Sequence, residues 1–389
     1  MKNLITISIL MASAASALAS SLVCQIAATP VPASVNMSTQ EIQSYQQKLK
    51  SECNQSLRYL NMANNFFNYG VSLENVNLYQ SMRYIRRYDY ERARMVNMPV
   101  PLIYQTDDNN KPIDQRTTLV WDNWMKGISQ LETEKYSIAK GMSFIKDDLV
   151  RVHIGFYQYS DEVGQYAHDP MKGVFKKPTD NDGSWMLLRN QQEEVETTAT
   201  FAEINNFYKR IGLIDTHRDP SIYDVLRIKP TTDKNGQPIL GVYGGDTRAN
   251  MEHVRNILNF MNIMLRQGIL GYHMAYNDRL FTPGEVAYIV QQFYVQVHPF
   301  SEGNGRTSRF MQELILTMMG LPHGSSGDLM EIDVYSTFPS YYQTAMTKTN
   351  EVLNEMENCY QSYKQNRLKT ADKIRRNSQL IDYNCRLIN

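Results

Sequence analysis

The chain is 389 residues long and formally neutral, with 40 basic and 40 acidic side chains. A chain of that length can bury a large core and suggests two or three domains, or one domain with extensions. The charge balance argues against any general affinity for nucleic acid or anionic membranes, and neither repeats nor low-complexity segments are evident.

Residues 1–19 read as a signal peptide rather than as fold. Lys2 gives a short basic start, Leu4 to Met11 an apolar centre, and Ala17-Leu18-Ala19 a small-residue cleavage pattern. The apolar run is too short and too rich in serine for a membrane span, and no later segment reads as one. An uncleaved anchor or a buried helix is the competing reading. A secreted or periplasmic mature protein is expected, and the cysteines fit that address. Cys24, Cys53, Cys359 and Cys385 form two local pairs, one near each end, without the CxxC spacing of a zinc site. Three connectivities are possible, of which Cys24–Cys53 and Cys359–Cys385 are the expected one in an oxidising compartment. Each bridge would stabilise by about 3–4 kcal/mol in the chain-entropy model.

Residues 20–142 read as an N-terminal helical region without a catalytic pattern. Pro30 and Pro32 mark an extended leader, and Ser38-Thr39-Gln40-Glu41 is a capping box. From there Ile42, Tyr45, Leu49, Cys53, Leu57 and Leu60 recur at helical spacing. Further helices are expected near 78–96, 117–142 and 143–158. Residues 159–246 are more irregular. Asn235-Gly236 sits between two short apolar runs, a hairpin signal, and Pro230 and Pro238 predict edge-like strands. Such an edge can dock an extended peptide by strand addition. A hairpin that only covers core is the alternative.

Helical order returns with Met251, Val254, Leu258, Met261 and Leu265 on one stripe. Thr282-Pro283-Gly284-Glu285 then opens a helix with a capping box and an early proline. That helix ends at His298 because Pro299 cannot extend it. A second begins around Gly305 and stops at Gly320. Residues 326–389 form a C-terminal helical region.

The joint between the two helices is the twelve-residue run His298-Pro-Phe-Ser-Glu302-Gly303-Asn304-Gly305-Arg306-Thr-Ser-Arg309. Free backbone N–H groups at Gly303-Asn304-Gly305, together with the helix dipole, make an anion site. Arg306 and Arg309 oppose that dipole, at roughly 0.3–1 kcal/mol each, and a bound polyanion reverses the sign. Singly, each residue has an ordinary structural role. His298 could interact with the last helix carbonyls, Glu302 could pair with Arg306, and Asn304-Gly305 could only cap. Together they suit a site that grips nucleotide phosphates and activates a hydroxyl.

This run resembles the Fic family, matching His-Pro-Phe-x-Asp/Glu-Gly-Asn-Gly-Arg-x-x-Arg at every fixed position, a coincidence on the order of 10⁻⁷ or less by composition. The looser similarity covers 143–325. The resemblance implies a mainly α fold: a Fic-like helical core with a small β-hairpin flap, flanked by the two helical regions. It implies transfer of AMP from ATP, with Mg²⁺ or Mn²⁺, to a Ser, Thr or Tyr hydroxyl of a target protein in a host or neighbouring cell. His298 would take the hydroxyl proton and Glu302 would hold the metal. Gly303, Asn304 and Gly305 would cradle the phosphates, with Asn304 on the α-phosphate. Arg306 and Arg309 would neutralise the distal phosphates, and Phe300 would anchor the core. The flap would be Ile239, Leu240, Gly241, Val242 and Tyr243, with Gly173-Val-Phe175 as rival. The Ser/Thr-x-x-x-Glu-Gly/Asn pattern of self-inhibited relatives is absent from the sequence. Alternatives are another donor (UMP, GMP or phosphocholine), removal of AMP, or a helical binding protein with a vestigial site.

Overall fold

A computed structural model describes residues 22–67, 130–157, 173–177, 187–189, 200–232, 236–243, 247–300, 303–322 and 332–367. The fold is mainly helical with two small antiparallel sheets. The expected signal peptide, the helix near 78–96 and Cys385 lie outside the described residues, as does the side chain of Cys359.

The capping box at Ser38 forms as predicted: the Ser38 N–H donates to Glu41 Oε2 (2.8 Å) and the Glu41 N–H to Ser38 Oγ (3.3 Å). It opens helix α2 (Thr39–Phe67), which comes after a short helix α1 (Leu22–Ala28). A Cys24–Cys53 disulfide joins the two, the first of the expected pairs. The predicted apolar stripe needs correction in its second half. Leu57 is 52% exposed, while Glu52, Gln55 and Ser56 are buried in its place. The helix turns a polar face inward here because that face meets polar termini of other elements. Ser56 Oγ donates to the Gly320 carbonyl (2.6 Å), and Glu52 binds the start of the central helix at Gly284. The leader is tied to the core through His273. Its Nε2 faces the Thr29 carbonyl (2.9 Å), which can only accept, so Nδ1 is the acceptor for the Tyr45 hydroxyl (2.6 Å).

Residues 130–139 are helical, with α3 (Lys146–Tyr157) after them. Next come strand β1 (Leu187–Arg189), helix α4 (Phe201–Ile211) and the single turn α5 (Pro220–Tyr223). The Asn235-Gly236 hairpin is present as β2 (Arg227–Thr232) and β3 (Pro238–Tyr243), paired antiparallel. Its edge character is half right. Pro230 lies on the edge strand β2, but β3 is the central strand of the order β1-β3-β2. β1 pairs with Leu240 to Val242, beyond Pro238, so the missing proline N–H falls outside that ladder.

Helix α6 (Thr247–Ile269) buries Val254, Leu258, Met261 and Leu265 as predicted, whereas Met251 at the start of the stripe is exposed. A second hairpin joins β4 (Met274–Tyr276) and β5 (Arg279–Phe281). Its turn residues, Asn277 and Asp278, both take positive φ (48° and 57°), the geometry of a type I′ turn.

Helix α7 (Pro283–Val297) is the centre of the molecule, and all of its residues are buried. Its N-terminal capping box forms through Thr282 and Glu285. Glu52 of α2 reinforces it, accepting from the Gly284 N–H (2.9 Å) and from the hydroxyls of Thr282 and Tyr342. Gly284 leaves room for this: a Cβ there would lie 2.6 Å from Glu52 Oε1. Three glutamines on α7 carry the polar contacts that a helix buried all round must satisfy. Gln291 joins Asp333 and Tyr341, Gln292 joins Tyr208 and the Ser336 carbonyl, and Gln296 joins the carbonyls of Asp333 and Val334. These contacts fix α9 (Ile332–Tyr335) and the start of α10 (Phe338–Arg367) against α7. Helix α8 (Asn304–Met319), capped by Gly320, completes the joint. One hydrophobic cluster runs from Val23 to Ala345, so both flanking helical regions share the core of the central one.

Candidate active site

The site grows from the C-terminus of α7. Residue 298 caps that helix in the left-handed conformation (φ 52°, ψ 56°), a region that non-glycine residues enter at a cost of about 1–2 kcal/mol. Three hydrogen bonds hold it there. The His298 N–H donates to the Tyr294 carbonyl (3.0 Å), and Nδ1 faces the Val295 carbonyl at 3.2 Å. Since a carbonyl only accepts, Nδ1 carries a proton, which in the neutral imidazole leaves the lone pair on Nε2. The His298 carbonyl in turn accepts from Lys176 Nζ (2.9 Å). The imidazole is therefore set in the tautomer a general base needs, in a residue only 8% exposed.

Pro299 ends the helix, and Phe300 anchors the loop beyond it. Its ring is fully buried between His153 of α3, stacked at 3.7 Å, and Phe175, stacked at 4.3 Å. The segment carrying Phe175 runs antiparallel to the joint. Phe175 bridges Phe300, and the Lys176 N–H donates to the Pro299 carbonyl (2.9 Å). The rival flap segment is thus backbone-paired to the joint itself.

Asn304 closes the loop. The Phe300 N–H donates to Asn304 Oδ1 (2.9 Å), and Asn304 Nδ2 donates back to the Phe300 carbonyl (2.6 Å). Both ends of this buried side chain clasp one backbone residue, so it staples the loop into a tight arch. Ser301 and Glu302 lie outside the described residues. Gly303 precedes α8 with φ 76° and makes no side-chain cap of its own. Asn304, Gly305 and Arg306 form the first turn.

Arg309 is 3% exposed although its Cα is on the second turn. Long helical side chains point back toward the N-terminus, and a Cβ on Gly305 would lie 3.4 Å from Arg309 Nη1. The guanidinium therefore covers the glycine at the helix start, while Arg306 is half-buried nearby. Behind it stands Asp333, whose carboxyl burial pushes up to about 7, against the opposing effects of Gln291 and the Arg309 charge.

The structure thus brings His298, Gly303, Asn304, Gly305, Arg306 and Arg309 onto one helix–loop–helix joint. Ile239 to Tyr243 lie on β3, and their side chains are outside the described residues. Sequence reasoning missed His153, Lys176 and Asp333. None had a local signal, because each reaches the joint from a distant segment.

A histidine at one helix end thus meets a glycine-opened, arginine-bearing helix start. Residues 243–316 match the family model described as Fic/DOC family. The match supports a Fic-domain protein, and proteins of that family generally transfer nucleotide-derived groups to other proteins. No curated protein matches the chain. Among the described residues, no helix is long and apolar enough to cross a membrane, and no group of three His, Cys, Asp or Glu could hold a metal.

Proposed function

We propose that the protein moves AMP from ATP onto a Ser, Thr or Tyr hydroxyl of a target protein. The observation that carries this reading is the tautomer of His298, fixed by the Val295 carbonyl at the helix end that meets the phosphate-ready start of α8. The target hydroxyl gives its proton to His298 Nε2, and its oxygen attacks the α-phosphorus. The bond to pyrophosphate breaks, and pyrophosphate leaves with its electron pair. The first-turn N–H groups of α8 hold the phosphates. Arg306 and Arg309 spread the charge of the leaving group. Positioning and electrostatics supply the catalysis, without a covalent enzyme intermediate.

Glu302 would be the one protein carboxylate on Mg²⁺ or Mn²⁺. A single carboxylate with phosphate oxygens and water is a donor set that suits Mg²⁺. When bound, the ion neutralises phosphate charge. The cysteine placement and residues 1–19 support export, with delivery to a compartment that holds ATP. Strand addition at the β2–β3 hairpin would dock the target. β1 already pairs with one side of β3, so a peptide would add to the outer edge of β2 or displace β1.

Intact-mass measurement of candidate proteins incubated with enzyme, Mg²⁺ and each donor tests the reading. ATP should add one AMP per modified hydroxyl, and His298→Ala should add none. Transfer from UTP, GTP or CDP-choline instead would reassign the donor. A biological effect that survives His298→Ala would leave a binding role in place of catalysis.

A further inference from the structure

The hydrogen bonds of His298 reach beyond the motif. Its backbone N–H and its Nδ1 are satisfied inside α7, by Tyr294 and Val295. Its carbonyl is reached from elsewhere in the chain, by Lys176 Nζ at 2.9 Å. In the left-handed conformation that carbonyl points away from the helix ladder, so a partner must come from outside the helix. Lys176 supplies it from a buried position, 8% exposed. Three neighbouring contacts deliver it there: the Phe175–Phe300 bridge, the Lys176 N–H on the Pro299 carbonyl, and the Phe175–Phe300 ring stack. The ring of Phe175 is itself approached by Lys146 Nζ at 5.1 Å.

We infer that Lys176 is a positioning residue for the candidate base: its ammonium clamps the His298 carbonyl and so keeps the residue in the left-handed cap that sets the imidazole. This rests on the transferase reading for its consequence, but not for its geometry. A charge-assisted bond to a carbonyl is about twice as strong as a neutral one. It is large enough to offset the left-handed strain at 298. Without it, His298 relaxes toward ordinary helical or extended dihedrals and Nδ1 swings off Val295. Misplacement of about 1 Å can cost a hundredfold in rate.

Lys176→Met removes the ammonium while keeping the backbone bond to Pro299 and the Phe175 stack. It should lower transfer from ATP about 10- to 100-fold in kcat, with KM for ATP changed far less. Lys176→Arg keeps a cationic donor and should recover most of the rate. Independently of any transfer, ¹⁵N NMR of the histidine side chains reads the tautomer, with His298 assigned by its loss in His298→Ala. Wild type should show one tautomer with protonated Nδ1, and Lys176→Met a mixture. An unchanged tautomer in Lys176→Met overturns the inference. So does a rate loss that merely tracks the loss of folded protein by circular dichroism, or that Lys176→Arg does not rescue. If wild type transfers no nucleotide at all, the transferase reading fails, and the NMR result still decides the role of Lys176.

Discussion

Glu52 offers the sharpest test of how the flanking helix supports the site, because its carboxyl is wholly buried at the N-terminus of the helix that ends in His298. It accepts from the Gly284 N–H at 2.9 Å and from the Thr282 and Tyr342 hydroxyls. Even so, burial outweighs those bonds and pushes its pKa from 4.5 up to about 7. A raised folded-state pKa means that the native protein holds the proton more tightly than the unfolded chain does. The stabilising contribution is then complete below the unfolded value and is lost as pH rises through about 7. A displacement from 4.5 to about 7 corresponds to roughly 3 kcal/mol in total, most of it between about pH 5 and pH 8. Glu52→Gln has the same shape and cannot ionise, and both hydroxyls can rotate to accept from its amide. Urea denaturation at a series of pH values should show wild type losing about 2–3 kcal/mol relative to Glu52→Gln across that window. Glu52→Ala leaves three donors without their acceptor and should cost about 3–5 kcal/mol. Parallel pH profiles for wild type and Glu52→Gln would refute the reasoning, since they would mean that the carboxyl ionises as freely in the fold as outside it.

Asp333 also has its pKa pushed up to about 7 by burial, so Asp333→Asn should flatten a second share of the same pH slope, read by the same denaturation series. Asn304→Ala removes both bonds to the Phe300 backbone and should destabilise by about 2–3 kcal/mol. It should also lower ATP-dependent labelling more than tenfold. His298→Ala should abolish labelling with a thermal midpoint close to wild type, because the backbone bonds at 298 remain. Replacing Cys24 and Cys53 together by serine opens a loop with a sequence separation of 29 and should cost about 3–4 kcal/mol in thermal unfolding.

The motif's local structure was legible because its causes are local. Pro299 cannot continue a helix, Thr282 and Glu285 cap one, Gly320 ends one, and the Asn235-Gly236 signal falls between two strands that pair. Each forms where the sequence placed it. The Asn277-Asp278 hairpin went unnoticed since its turn lacks the glycine that usually announces positive φ. The polar face of α2 was misread for a different reason. Glu52, Gln55 and Ser56 look solvent-facing in any periodicity count, and only the elements they meet make them interior.

By itself, then, the sequence determined the helix–loop–helix joint, the glycines and arginines it carries and its resemblance to the Fic family. These depend on neighbours within a turn or two. Tertiary structure decided the tautomer of His298, the Lys176 clamp on its carbonyl, the His153–Phe300–Phe175 stack, and the place of β1 on β3. Most of those contacts join residues far apart in the chain. The tautomer depends on the bend at 298, which the αL cap and the Lys176 clamp hold together. Chain spacing carries no record of such meetings, which arise only when burial of the common core brings the segments together.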